Sequence, residues 1–181
     1  MLLIHVPETE LFDNSTCEFS TIKEMNLALE HSLVSLSKWE SKWHKPFLHP
    51  TDKKSTEEIL DYIRCMTLTQ NVKPEVYYSL TAENLRQIQE YIDNQMTATT
   101  FNQNQPEIPS REIITAELIY YWMIMYNIPV EFEKWHLNRL LTLIKVCSIK
   151  NSKPKKMGRR ALMSRNAALN AARRQQLNSR G

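Results

Sequence analysis

Five histidines are the side chains in this sequence best suited to acid–base or metal chemistry: His5, His31, His44, His49 and His136. His44 and His49 flank Pro46 in a predicted loop, but no third ligand lies near them in the sequence and no H-E-x-x-H pattern occurs. His136 follows Trp135 in a segment with helical periodicity, where a satisfied core or interface histidine is more common than a general base. The sequence therefore predicts no metal site and no catalytic histidine.

Paired carboxylates are the second candidate for chemistry, and their positions indicate a structural role. Glu57 and Glu58 fall at a predicted helix start, as do Glu131 and Glu133. Negative charge at that end of a helix is stabilised by the backbone dipole. No Ser-His-Asp or Cys-His set can be assigned from spacing, although such sets also assemble from residues far apart in the sequence. We predict a protein without catalytic activity.

The glycine and cysteine residues narrow the function further. Gly158 and Gly181 are the only glycines. The body of the chain thus has no glycine loop for phosphate, which disfavours a nucleotide-binding enzyme. Cys17, Cys65 and Cys147 are odd in number and far apart, unlike the cysteines of a zinc site or a disulfide framework. We expect reduced, buried cysteines and no cofactor.

Signals for export or membrane insertion are not found in the sequence. The segment from Met1 to Pro7 has no basic leader, and its apolar run is too short for a signal peptide. The longest uninterrupted apolar run, from Leu118 to Tyr126, covers nine residues, roughly half of the ~20 that a transmembrane helix needs. We expect an intracellular protein without a membrane partner.

The charge of the chain is divided unevenly between its two ends. Residues 1–144 contain 12 Lys and Arg against 20 Asp and Glu, whereas residues 145–181 contain 11 Lys and Arg and no acid. The sequence therefore predicts an acidic body with a basic tail. The cations assigned to the tail are Lys153, Lys155, Lys156, Arg159, Arg160, Arg173 and Arg174.

Two kinds of partner fit this basic tail. It can neutralise phosphates of a nucleic acid with salt-dependent affinity, or it can dock on an acidic protein, including the body of a neighbouring copy. Trp39 and Trp43, with lysines beside them, lie on one predicted helical face and resemble a base-stacking platform. The same spacing also fits a core stripe rimmed by lysine stems. Both alternatives stay open from the sequence.

The elements predicted over residues 1–96 are a small β-hairpin followed by helices. Alternating apolar residues predict strands at Leu2–Val6 and Phe19–Ile22 around a turn at Asp13–Thr16, and a third strand at Leu27–His31. A helix is expected from Ser32 to before Pro46.

Further helices follow in this region. Ser55 and Glu58 form a capping box for a helix whose inward residues are Ile59, Leu60, Ile63 and Met66. Pro74 is expected to start a short helical turn. Thr81 caps a predicted helix over 82–94, with the stripe Leu85, Ile88 and Ile92.

Residues 97–110 are polar, contain two prolines and predict a linker, and an apolar pair of helices over 111–150 follows. Ser110 is predicted to cap a helix ending near Tyr126, and Pro129 to begin a second helix that continues to about Lys150. The second has the stripe Phe132, Trp135, Leu140, Leu143, Ile144 and Cys147.

The first helix of this pair is apolar on all sides, so one neighbour cannot cover it, and it is either the centre of the domain or completed by a partner. The candidate partner-binding residues are Tyr120, Tyr121, Trp122, Met123, Met125 and Trp135.

The tail, 151–181, contains an alanine-rich stretch from Arg159 to Leu177 with good helix propensity. Its apolar line is thin, chiefly Leu162 and Leu169, so we expect a marginal helix that is ordered mainly when bound. The predicted fold is mainly α with a small N-terminal β element, that is, a compact α+β helical domain with a basic C-terminal tail.

Six segments carry a resemblance to a known family: Glu30–Phe47, Met96–Phe101, Glu117–Met125, Lys134–Ile144, Lys153–Met157 and Asn166–Gln175. The strongest are the strings E-L-I-Y-Y-W-M-I-M and K-W-H-L-N-R-L-L-T-L-I of the third and fourth segments. Together they resemble the tail assembly chaperones of long-tailed bacteriophages, whose genes usually lie beside the tape measure gene.

This resemblance implies a non-catalytic factor in the host cell cytoplasm that is not part of the mature virion. Such a factor binds the long apolar helices of the tape measure protein and recruits tail tube subunits. Self-association is compatible with the same reading. The competing hypotheses are a nucleic-acid-binding protein that uses the basic tail and a structural component of the virion.

Overall fold

The computed structural model describes residues 1–13, 18–49, 53–101, 112–152 and 158–178. The chain divides into two compact units, 1–148 and 149–181, each described by itself below. The described residues include the predicted strands and most of the predicted helices. The greater part of the predicted linker, Ser110, Cys17 and the cations Lys153, Lys155 and Lys156 lie outside them.

A long antiparallel hairpin opens the first unit. Its four strands are β1 (Leu2–Val6), β2 (Thr9–Asp13), β3 (Glu18–Ile22) and β4 (Met25–Leu29). β1 pairs with β4 and β2 with β3 in one continuous register, because Val6 faces Met25 and Thr9 faces Ile22. Ile4 lies opposite Leu27 and both are buried, so one face of this ribbon packs into the core. The predicted strands at 2–6 and 19–22 are present, but they do not pair with each other, because each pairs with another strand of the same ribbon. The partner of 19–22, β2, was not predicted, and the predicted third strand, 27–31, lies at Met25–Leu29 and pairs with β1.

Helices make up most of the remaining structure. The α-helices are α1 (Leu33–Trp43), α2 (Thr56–Met66), α3 (Ala82–Asp93), α4 (Ala116–Met125), α5 (Leu137–Asn151) and α6 (Arg159–Leu177). Two 3₁₀ helices, Pro74–Ser79 and Val130–Lys134, precede α3 and α5. The described part of the chain is thus mainly helical with a small N-terminal β element, as the sequence predicts.

The first three α-helices start where the sequence predicts, and each start is fixed by a cap. Ser32, Ser55 and Thr81 each accept a hydrogen bond from the backbone N–H three residues on, and the side chain at that position returns the contact. Two inward assignments are wrong, since Ile59 and Leu85 are exposed. In α2 the buried positions are Glu58, Tyr62, Ile63 and Met66, because the face towards α1 lies further round the helix than the aliphatic pattern indicated.

The start of α4 differs from the prediction. Ser110 is not its cap, because α4 begins at Ala116 with Thr115 as the N-cap. The Thr115 hydroxyl accepts from the N–H of Leu118, at 3.4 Å, and the carboxylate of Glu40 accepts from the N–H of Ala116, at 2.7 Å. A side chain of α1, 76 positions earlier, thus helps to set where α4 starts.

The helix predicted from Pro129 to Lys150 is broken in two, so that prediction is wrong. Val130–Lys134 is a 3₁₀ helix, and the chain is extended at Trp135. His136 forms an isolated antiparallel bridge with Ser32, and the N–H of Leu137 donates to the carbonyl of His31 at 2.7 Å. This link to the segment after β4 takes the backbone N–H of Leu137, which a continuous helix would use for its own ladder.

The buried residues form two clusters that share α1. The first contains Trp39 of α1 with residues of the hairpin, α2 and α3. The second contains Leu33 and Leu36 of α1 with residues of α4 and α5, including the fully buried Leu137. The helix α1 therefore forms one wall of both clusters. Cys65 and Cys147 are only half-buried, which corrects the expectation of buried cysteines.

The second unit contains α6, whose bounds coincide with the alanine-rich stretch singled out in the sequence. All of its described side chains are exposed, including Leu162 and Leu169. As it stands, α6 is a basic helix with an uncovered apolar line.

Candidate protein-binding surface

The helix α4 buries one face and leaves the opposite face exposed. Ala116, Ile119 and Met123 recur at intervals of three and four residues and pack in the second cluster with α5. Beyond Met125, the N–H of Ile128 bonds back to the carbonyl of Met123 and the Ile128 side chain is buried. Both ends of α4 are therefore held by defined contacts.

The exposed side of α4 is apolar apart from one carboxylate, and we call Glu117, Tyr121, Ile124 and Met125 the α4 outer face. Their helical spacing of three and four residues puts them on one stripe. The exposed fractions are 54% for Tyr121, 75% for Ile124 and 58% for Met125. The neighbouring side chains of Ile113, Ile114 and Val130, before and after the helix, are exposed as well. Contiguous exposed apolar surface of this kind marks interaction sites.

The structure divides the predicted partner-binding residues of α4. Tyr121 and Met125 belong to the α4 outer face. Met123 is wrongly assigned, because it is only 3% exposed and belongs to the core. Tyr120 and Trp122 are half-buried and pack against the second cluster, so they border the surface.

Tyr120 has a defined partner beside this surface. Its hydroxyl donates to Oε2 of Glu133 at 2.9 Å. Burial, and next the hydrogen bond to Glu133, raise the pKa of Tyr120 to about 12. This contact ties α4 to the 3₁₀ helix Val130–Lys134 and so fixes the edge of the surface.

Ile124 is the residue that sequence reasoning missed. It is the most exposed apolar side chain of α4. The predicted partner-binding residues were chosen among Met and aromatic side chains, which adapt to partners of different shape, and an isoleucine was therefore left out. The position of Ile124, two turns after Glu117 on the same stripe, was the available signal. Using it required knowing that Ile119 and Met123 face inward.

Trp135 does not extend the α4 outer face through any contact that the structure records. Its ring stacks on Phe132, with centroids 3.9 Å apart and planes 15° apart, and the guanidinium of Arg139 lies 4.0 Å from the Trp135 centroid. The ring is half-buried between these two side chains. Trp135 thus supports the local structure before α5.

The tryptophan pair of α1 is not an open stacking platform. Trp39 is 1% exposed, and its indole N–H donates to the carbonyl of Glu58 at 2.9 Å. Trp43 is half-buried, and its indole N–H donates to Oδ2 of Asp61 at 2.8 Å. Of the two alternatives for this pair, the core stripe is therefore correct for Trp39, and no nucleic-acid base can stack on its ring.

Two histidines meet in the interior, where β4 and the start of α5 join. The rings of His31 and His136 are 5.1 Å apart, and Nδ1 of His31 lies 2.6 Å from the Tyr62 hydroxyl. Nε2 of His136 lies 2.9 Å from the carbonyl of Tyr91. Burial, then the neighbouring His136, lowers the pKa of His31 to about 3, and burial likewise lowers the pKa of His136. Both histidines are inaccessible to a substrate.

The cations of α6 are displayed to solvent. Arg159, Arg160, Arg173 and Arg174 are all exposed, near the two ends of the helix. No group of three or more His, Cys, Asp or Glu among the described residues could hold a metal ion. In the described part of the chain, no helix is both long and apolar enough to cross a membrane.

Comparison of the chain with protein-family models, with curated proteins and with solved structures found no match.

Proposed function

We propose that this protein is a tail assembly chaperone of a long-tailed bacteriophage. It binds apolar helices of the tape measure protein, recruits tail tube subunits and works in the host cell cytoplasm without catalysing a reaction. The observation that carries the proposal is the α4 outer face, an exposed apolar stripe on a helix whose other side is anchored in the core.

The chemistry of the α4 outer face suits such a client. A tape measure protein is a long, helix-rich chain with apolar faces, and amphipathic helices bind through residues spaced by three and four. Tyr121 and Met125 supply an aromatic ring and a flexible thioether, which adapt to clients of varying shape. Because Ile119 and Met123 pack in the second cluster, the position of α4 and of its exposed stripe is fixed by the core.

The sequence resemblance adds independent support. One of its two strongest strings, Glu117–Met125, coincides with α4 and includes the whole α4 outer face. The other, Lys134–Ile144, begins at the break before α5 and continues into the helix that packs with α4. The strings that resemble the family thus build and display one surface.

The proposal is tested by co-expressing the chain with the tape measure protein of the same phage and measuring their co-purification. Replacing Ile124 and Met125 together by Ser should abolish co-purification while the unfolding temperature stays close to that of the wild type, since both side chains are exposed. The matched control is Leu68→Ser, which removes an exposed apolar side chain elsewhere, 57% exposed, and should leave binding intact.

The same preparation separates the competing functions. Retained tape measure binding in the Ile124/Met125 double variant would contradict the proposal. The nucleic-acid hypothesis predicts affinity for single strands that survives physiological salt, whereas a mere polycation loses it. A structural virion component is recognised by finding the protein in purified, finished virions.

A further inference from the structure

The helix α6 has the composition of a helix that docks on an acidic apolar surface. Leu162 and Leu169 are one heptad apart and both exposed, and Arg173 follows four residues after Leu169 on the same stripe. Residues 145–181 contain no acid, so no intrinsic negative charge opposes such docking. Within the second unit no described side chain of α6 is buried, so its apolar line, which arginines border, is open to a partner.

The α4 outer face has the complementary composition. Glu117 is the only charged residue of α4, and it lies on the exposed stripe one turn before Tyr121. No ion pair of Glu117 is found among the described residues. The stripe therefore presents one carboxylate followed by apolar side chains, with no cation on the same helix.

The spacings of the two stripes agree when the helices run antiparallel. Glu117 precedes Tyr121 by four residues, and Arg173 follows Leu169 by four, so each charge lies about 6 Å from its apolar neighbour along the helix axis. Setting Leu169 against Tyr121 then sets Arg173 against Glu117. Leu162, seven residues before Leu169, then lies opposite Ile128, just past the last residue of α4, so the proposed contact rests on these two pairs.

The backbone dipoles favour the same direction. In the antiparallel arrangement the C-terminal end of α6, which carries Arg173, lies beside the N-terminal end of α4, which carries Glu117. Opposite ends of two helix dipoles then adjoin, and each charged side chain also lies near the helix end that stabilises it.

We propose that α6 of one molecule binds antiparallel along the α4 outer face of a second copy, so that the protein associates with itself through Arg173–Glu117 and Leu169–Tyr121 contacts. The two helices belong to separate molecules. Insofar as this self-association is regulatory, it rests on the proposed function: the tail of another copy covers the client surface until a tape measure helix displaces it.

The test is a set of charge reversals on the purified full-length chain, with no client present. Molar mass is measured by sedimentation equilibrium over a range of protein concentrations at low and at physiological salt. The wild type should show a mass above that of one chain, rising with concentration and falling with salt. Glu117→Lys and Arg173→Glu should each raise the dissociation constant by about tenfold or more, since each places like charges together.

The decisive sample is an equal mixture of the two single variants. The tail of the Arg173→Glu protein is then complementary to the body of the Glu117→Lys protein, so the mixture should associate although neither variant does so alone. The control variants are Glu75→Lys and Arg160→Glu, which make the same changes in charge at exposed positions away from the two stripes. Both should associate like the wild type.

A monomeric wild type at every concentration, or a mixture of single variants that stays monomeric, would overturn the inference. Protection of α6 from protease within a monomer would do so as well, because it would place α6 on its own chain. None of these results depends on client binding. A chaperone that binds its client but does not self-associate would refute only this inference, whereas self-association without client binding would refute only the proposed function.

Discussion

Glu40 is the side chain on which the arrangement of α1 and α4 most depends. It is 8% exposed, and its two oxygens accept hydrogen bonds from the backbone N–H groups of Phe47, at 2.8 Å, and Ala116, at 2.7 Å. Burial raises the pKa of Glu40, and the two hydrogen bonds oppose that rise. One carboxylate thus joins the loop after α1 to the first residue of α4.

We predict that Glu40→Ala lowers the free energy of unfolding by about 2 to 4 kcal/mol, because it leaves two N–H groups without their acceptor. Glu40→Gln keeps one acceptor oxygen and should lose less. Urea denaturation followed by tryptophan fluorescence measures both. Equal stability of the Ala variant and the wild type would show that the two contacts contribute nothing net.

The buried histidines predict how stability changes with acidity. In the unfolded chain a histidine takes up a proton near pH 6.5, whereas the folded-state pKa of His31 is lowered to about 3 and that of His136 is also lowered. Between these values the unfolded state binds more protons. Stability should therefore be fully present above about pH 6.5 and fall as the pH drops towards 3.

Each pH unit within this window should cost up to about 1.4 kcal/mol from His31, and His136 adds to the loss in the same direction. Tyr62, Tyr91 and Glu30 surround the pair, and Asp93 acts on His31 from α3. Urea denaturation at a series of pH values checks the slope. His31→Gln should flatten it, whereas His44→Asn, at an exposed site, should leave it unchanged.

At the scale of elements, the sequence predicted those features that local chemistry determines. The predicted helix starts at Ser32, Ser55 and Thr81 were correct, because each is set by capping contacts within four residues, of which the box at Ser55 was itself predicted. The break before α5 was not predicted, because it depends on a link between Leu137 and His31, 106 positions apart in the chain. The start of α4 escaped prediction for the same reason, since Glu40 is remote in sequence.

The sequence predicted that α4 carries an apolar binding surface, but not which of its residues form that surface. An all-apolar helix shows from sequence that some face must remain open or find a partner. Which face remains open depends on where α1 and α5 lie, and so Met123 was included and Ile124 omitted. Residue type alone cannot make that distinction.

The environments of Trp39, within α1, and Trp135, before α5, predict different costs of truncation. Trp39→Ala should cost about 3 to 5 kcal/mol, as expected for a buried ring. Trp135→Ala should cost only about 1 to 2 kcal/mol, because the half-buried ring loses chiefly its stacking on Phe132 and its contact with Arg139. Thermal denaturation of both variants gives the comparison, and a larger cost for Trp135 would contradict the assigned environments.

At the scale of the whole molecule, the first unit contains both buried clusters, all of whose members precede Ile149. A chain that ends after Ser152 should therefore unfold at the same temperature as the full-length protein, to within about 2 °C. Calorimetry provides the measurement. Under the inferred self-association, the shortened chain should also remain monomeric where the full chain associates. Loss of the folded state on truncation would show that the tail contributes to the core.

The position of α1 has a consequence for how the first unit opens. Leu33 and Leu36 line one cluster while Trp39 lines the other, so neither cluster can release α1 without exposing the second to water. Amide hydrogens in β4, α2 and α5 should therefore exchange with solvent in a single concerted event, with similar protection throughout, although the sequence reads as an N-terminal half and an apolar C-terminal pair of helices. For a protein that offers an apolar helix to its surroundings, such all-or-none opening keeps partly unravelled, aggregation-prone forms rare.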